Sequence, residues 1–283
     1  MSKKLKILMT TLLAVLLLAA CGKSDEGTST SSSTSESKES DVLKVGLEAG
    51  YAPFNWTQQD DSNGAVKIEG SQEYAGGYDV EIAKRVADAL GKELVIVKTE
   101  WDGLLPALQS GVIDAIIAGM SPTDERKEVI DFSDNYYTSQ FVIVTKTGGE
   151  YAEAKTLEDF AGAKITSQLN TTNYAVIDQI PDVQKEVAME SFSHMRVALE
   201  SGAIDGYVAE RPEAVSASTA NENFTYIELE EGFKTEEADT SVAIGLKKGD
   251  KNIDQINETL NAITEEERQQ IMDEAIANQP AAQ

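Results

Sequence analysis

Two short segments carry residue types whose spacing suits recognition of a zwitterion. The first is Gly119-Met120-Ser121-Pro122-Thr123-Asp124-Glu125-Arg126. Ser121 reads as a helix N-cap and Pro122 as the first helical residue. The free N–H groups and positive dipole end of such a helix favour an anion. Gly119 lets the backbone approach a ligand closely, and the planar fork of Arg126 suits a carboxylate. The plainer alternative is an ordinary cap with a solvated arginine. The second segment is Glu210-Arg211-Pro212-Glu213, in which Glu210 ends a strand in the position that Gly119 holds in the first. It offers a carboxylate to a cation; its alternative is one more solvated acid among 49. A further helix start, Asn170-Thr171-Thr172-Asn173-Tyr174, supplies hydroxyls.

The elements that must hold these residues follow from an internal repeat. Ala107-Leu108-Gln109-Ser110-Gly111-Val112-Ile113-Asp114-Ala115-Ile116-Ile117-Ala118 reads against Ala198-Leu199-Glu200-Ser201-Gly202-Ala203-Ile204-Asp205-Gly206-Tyr207-Val208-Ala209, 91 residues later. Each copy is a helix end, a glycine stop and a strand, which predicts two α/β lobes built alike. Around the first copy the pattern predicts a strand over 42–47, a loop to Gly77, a helix capped by Asp79 and running to Leu90, a strand over 94–97, a helix over 104–110 and a strand over 113–118. A strand over 163–167 precedes the Asn170 segment. Alternating strands and helices imply an α/β fold with a largely parallel sheet. In such sheets ligands bind beyond the carboxyl ends of the strands, where Gly119 and Glu210 stand.

Composition removes several classes of function. A net charge of −25 and a pI near 4.3 exclude a phosphate-backbone binder. One cysteine excludes an intramolecular disulfide and any multi-cysteine metal site, and one histidine excludes His-rich zinc sites. No cofactor and no metal are expected. Lys3, Lys4 and Lys6 precede the uncharged, mostly apolar run 7–20, whose 14 residues fall short of a membrane span of roughly 20. Residues 1–20 thus read as a signal peptide. Leu18-Ala19-Ala20-Cys21-Gly22 resembles a bacterial lipobox, which implies a lipid on Cys21 and a mature charge of −28. The Ser/Thr-rich segment that follows, to residue 41, has no apolar face and reads as a disordered tether.

The ordered chain, from about Val42 to Ile276, resembles the extracellular solute-binding proteins of bacterial ABC transporters, in the polar-amino-acid family (family 3). Gly77-Tyr78-Asp79-Val80-Glu81-Ile82-Ala83 matches the family's Gly-aromatic-acidic opening. Ser121 and Arg126, followed by Asp131-Phe132-Ser133 and Tyr136-Tyr137, match its carboxylate site. The resemblance implies a two-lobed periplasmic-binding-protein-like fold (type II) with two hinge strands and the ligand in the inter-lobe cleft. The first lobe would be 42–139 plus 241–276, the second 140–240, and the tail 277–283, with hinges near 139–144 and 241–246. Arg126 would bind the ligand α-carboxylate, helped by Ser121 and the backbone about Gly119 and Thr171, with Met120, Asn170 and Thr172 also counted among the ligand-binding residues. Glu210 would bind the α-ammonium. Tyr51 and Trp101 align with aromatic residues that sandwich the ligand side chain in relatives, and Glu48 with an acid that pairs with a distal cation.

The expectation is therefore a non-enzymatic, monomeric binding lipoprotein. It would capture an arginine- or lysine-type amino acid at the outer face of a membrane, of Gram-positive type, and pass it to permease subunits. Glutamine, histidine and cystine are alternative ligands. A dehydratase on the same fold, or an adhesin, is the alternative of another class.

Overall fold

The structure is a computed structural model that describes residues 41–280. The expected signal peptide, Cys21 and most of the tether lie outside these residues. Among the described residues, no helix is long and apolar enough to cross a membrane.

The first lobe begins with β1 (Val42–Leu47), whose last three residues are buried. A small antiparallel sheet follows, made of β2 (Gly50–Tyr51), β3 (Asn55–Gln58), β4 (Val66–Lys67) and β5 (Tyr74–Gly76). This corrects the expected loop to Gly77: the strands are two to four residues long, too short to show an alternating pattern in a run rich in turn residues. Then come α1 (Tyr78–Leu90), β6 (Glu93–Lys98), α2 (Trp101–Ser110), β7 (Ala115–Ile116), α3 (Asp124–Val129) and β8 (Asp131–Thr138).

The second lobe holds β9 (Phe141–Lys146), β10 (Lys164–Thr166), α4 (Thr172–Ala175), β11 (Gln184–Lys185), α5 (Phe192–Ser201), β12 (Gly206–Glu210), α6 (Arg211–Ala220), β13 (Phe224–Ile227) and α7 (Glu237–Thr240). The chain then returns to the first sheet as β14 (Ser241–Leu246) and ends in α8 (Ile253–Asn261) and α9 (Glu265–Asn278). The sheets run β6-β1-β7-β14-β8 and β11-β10-β12-β9-β13. In each, three parallel strands continue into two antiparallel ones. The fold is a two-lobed α/β type.

The sequence repeat is one joint built twice. Gly111 (φ 81°) and Gly202 (φ 79°) end α2 and α5 in the left-handed conformation that glycine adopts most readily. Asp114 Oδ2 then accepts the Lys44 N–H at 2.9 Å, and Asp205 Oδ2 accepts the Lys164 N–H at 2.8 Å. In return each aspartate donates its own N–H to the same lysine's carbonyl. The repeated aspartate thus locks the new strand to its parallel neighbour.

The crossings fall just before the expected hinge strands. Residues 141–146 and 241–246 are sheet strands; the chain changes lobes at 139–140 and again between Lys234, which still bonds Gln179 of the second lobe, and Ser241, with α7 on the crossing. The two crossings touch where the Ser139 N–H donates to the Thr240 carbonyl at 3.0 Å.

Two expected caps are also corrected. Gly77 (φ 121°) is the N-cap of α1, and Asp79 is buried in its first turn. Asp79 accepts from Asn55 Nδ2 (2.8 Å) and Tyr136 Oη (2.7 Å), and burial pushes its carboxyl up to about 6. In α3 the cap is Thr123, whose Oγ1 accepts the Arg126 N–H, rather than Ser121. Asp124 and Glu125 then fall in the first turn, where the helix dipole favours acids.

Candidate functional site

Every parallel strand bordering the cleft delivers a polar or aromatic group just past its carboxyl end. Glu48 and Tyr51 follow β1, Trp101 follows β6, Gly119 to Arg126 follow β7, Gln168 to Thr172 follow β10, and Glu210 is the last residue of β12. One cavity is lined by Tyr51, Trp101, Gly119, Ser121, Arg126, Thr171, Thr172 and Glu210, together with Gln168, Asn173 and Phe192.

Arg126 is half-encased by backbone. Its Nη1 donates to the Ser121 carbonyl (2.9 Å), and its Nη2 crosses the cleft to the Asn170 carbonyl (3.0 Å). Its guanidinium lies 5.1 Å from the centre of the Trp101 ring, within cation–π range. Burial pulls Arg126 down to about 10, against the opposing charges of Glu125 and Glu210. Glu210, only 6% exposed, accepts a short hydrogen bond from Tyr51 Oη on the other lobe. Burial raises the Glu210 carboxyl, while the Tyr51 bond and the Arg126 charge oppose that rise. The Tyr51 ring stacks on Phe54 at 5.0 Å and on Phe192 of the second lobe at 4.6 Å. Gly119 (φ 61°) is required here, since a Cβ would stand 2.7 Å from Tyr51 Cε1. Its N–H donates to Tyr136 Oη (3.0 Å), so Gly119 contributes close approach rather than a free donor.

The remaining polar groups bind one another. Thr171 caps α4: its Oγ1 accepts the Tyr174 N–H and donates to the Gln168 carbonyl (2.6 Å). Ser121 Oγ (3.1 Å) and Thr172 Oγ1 (3.2 Å) both donate to the Asp239 carbonyl on the second crossing. Asn170, at φ 56°, donates Nδ2 to Asp102 Oδ1 across the cleft (2.9 Å). Glu48, 6% exposed, accepts from Gln168 Nε2 (2.9 Å), also across the cleft, and burial lifts it to about 8. The lobes are therefore closed, and the space a water's centre can occupy between them is about 10 Å³, room for about one water.

The fold and the closed cleft point to the solute-binding superfamily, and one comparison decides the family. The profile of bacterial extracellular solute-binding proteins, family 3, matches residues 43–277. The chain belongs to that family. A probable histidine-binding protein of Campylobacter jejuni is 32% identical over 212 residues, covering 71% of this chain and 75% of the relative. The glutamine-binding protein GlnH of Bacillus subtilis is 29% identical over 261 residues, covering 88% of this chain and 87% of the relative. Among solved structures, an amino acid ABC transporter substrate-binding protein from Streptococcus pneumoniae bound to L-arginine superposes with a TM-score of 0.74 at 26% identity, covering 84% of this chain and 94% of that one. These relatives are solute-binding transport proteins rather than enzymes.

In this family-3 chain three of the expected site residues, Glu48, Met120 and Asn170, do not line the cavity itself. Met120 is 1% exposed, packs in the first lobe's apolar core and accepts the Ala243 N–H at its carbonyl, so its side chain is not in the cleft. The strand turns at Gly119, and the residue after the turn points inward. Gln168, Asn173 and Phe192 line the cavity but are not among the expected site residues, Asn173 being named only within its helix-start segment. The strand-end rule could have found Gln168. Phe192, at the start of α5, carries no local signal.

Proposed function

We propose that this chain captures an L-amino acid with a cationic side chain, arginine first and lysine or ornithine next, and passes it to the permease of an ABC importer. The observation that carries the reading is a pair of opposite charges on facing walls of the closed cleft, Glu210 buried and Arg126 half-buried. Arg126 is served by carbonyl oxygens and by the face of Trp101, and Glu210 by the Tyr51 phenol with the Asn173 amide beside it. A ligand α-carboxylate would replace the carbonyls at Arg126 with a charge-assisted fork, and an α-ammonium would do the same at Glu210. Ser121, Thr171 and Thr172 would add hydroxyls once the lobes part. The Tyr51 and Trp101 rings would flank the side chain, and Glu48 would meet its distal cation. The arginine-bound S. pneumoniae relative supports this choice.

A second reading, a neutral side chain such as glutamine, is favoured by the single hydrogen bond to Glu48 and by its raised carboxyl. A thermal-shift screen against the twenty amino acids, ornithine, citrulline and cystine separates the two. A ligand at 100 times its Kd stabilises the fold by about 2.7 kcal/mol. Arginine is expected to give the largest shift. A shift with glutamine or cystine and none with millimolar arginine would reverse the side-chain assignment and leave Arg126 and Glu210 in place.

The lipobox-like Leu18-Ala19-Ala20-Cys21 motivates the second half of the proposal, attachment to the outer face of a membrane through a diacylglycerol on Cys21. Two acyl chains give stable anchoring where one does not. Cys21→Ser is expected to release the protein from membranes in its native host. Unchanged retention, with no lipid on Cys21 by mass spectrometry, would count against it.

A further inference from the structure

Glu48 is buried in the closed cleft in an unusual setting. Its Oε1 takes one hydrogen bond, from Gln168 Nε2 of the opposite lobe at 2.9 Å, and its Oε2 has no partner. The same Gln168 amide also donates to the Glu190 carbonyl at 3.0 Å, so its second hydrogen is spent. The titratable groups that act on Glu48 are all carboxylates: Glu100 and Asp102 at the start of α2, and Asp79 of α1. A closed cleft thus holds this carboxylate with one donor, no facing cation and three like charges. An ionised group so placed is strongly disfavoured. When the lobes part, Gln168 leaves with the second lobe and Glu48 meets water.

We propose that Glu48 makes closure selective through its proton: the cleft closes on a cationic side chain with Glu48 ionised, and on a neutral side chain only after Glu48 has taken up a proton. The inference rests on the amino-acid reading of this site and adds the rule by which it chooses among ligands.

The sign follows from the open and closed states. Burial raises Glu48 from an ordinary 4.5 to about 8, with the Gln168 bond opposing that rise. Between those values the open cleft holds it ionised, and a cleft closed on a neutral ligand holds it protonated. Affinity for a neutral ligand therefore falls as pH rises, by up to about tenfold per pH unit. A guanidinium or ammonium supplies the missing charge and the donors for Oε2, so affinity for a cation stays level. Arg126 and Glu210 meet the α-groups of either ligand, and their own titration cancels in the comparison.

Isothermal titration with arginine and with glutamine tests this, at about pH 5.5, 6.5 and 7.5, each in two buffers of different ionisation enthalpy. The Kd for glutamine is expected to rise by up to about a hundredfold across that range. Glutamine binding near pH 6.5 should take up about one proton, while arginine should change less than about threefold and exchange none. In Glu48→Gln the glutamine curve should flatten at its low-pH value. Equal slopes for both ligands, no proton uptake with glutamine, or no glutamine binding at about pH 5.5 would each overturn the proposal. If the variant does not fold, the proton count in the unaltered protein decides alone. A sloped glutamine curve with no arginine binding at any pH would overturn the cationic ligand while supporting proton uptake at Glu48.

Discussion

Arg126→Ala and Glu210→Ala are each expected to weaken amino-acid binding by at least about thirtyfold while leaving the protein folded. Each truncation would leave a ligand charge facing a buried wall without its partner. Losing one member of a buried, hydrogen-bonded charge pair costs about 2–5 kcal/mol, and the lower figure is already about thirtyfold. Folding should survive, because both residues line the space between the lobes rather than a core. In the closed form Arg126 donates to two carbonyls and lies over Trp101, and Glu210 meets the Tyr51 phenol and the Asn173 amide. Titration calorimetry of the folded variants is the check. Binding within threefold of the unaltered protein would move the site elsewhere.

The largest expected effect on stability lies away from the cleft. Arg196 of α5 donates Nε (3.0 Å) and Nη2 (2.8 Å) to Glu213 Oε1 of α6, and Tyr207 Oη donates to the same oxygen at 3.2 Å. Glu213 is fully buried, and Oε2 has no partner. Burial pushes its carboxyl up and the Arg196 charge holds it down. Arg196→Met removes the opposing charge and leaves the carboxylate stranded, which costs about 3–5 kcal/mol. In a domain of this size that lowers Tm by roughly 10 °C. With the folded-state pKa of Glu213 raised further, the variant's fold favours the protonated acid. Its deficit should therefore shrink as pH falls and grow as pH rises. Thermal unfolding at two pH values tests both parts. A Tm within about 2 °C of the parent at neutral pH would show that the pair contributes little.

Much of this molecule is legible in the order of its residues because the signals are local. Helix stops at Gly111 and Gly202, the aspartates three residues after each, and the apolar runs that follow depend on neighbours within a dozen positions, so the repeat revealed both lobes. The strand-end rule then placed Gly119, Arg126 and Glu210 beside one cleft, because a parallel sheet puts all its carboxyl ends on one edge. Other features depend on partners far along the chain. The short strands of residues 50–76 owe their pairing to each other and not to any period. Thr123, not Ser121, caps α3, and the Ser121 hydroxyl donates instead to the Asp239 carbonyl, 118 positions away. Asp79 looks like a cap in sequence and becomes a buried acceptor only when Asn55 and Tyr136 fold over it. Glu48 shows the limit most clearly. As a residue it is one acid among 49. Its unpartnered oxygen, its bond to Gln168 of the other lobe and its raised carboxyl belong to the folded cleft and to no single segment, since desolvation depends on everything packed around the group.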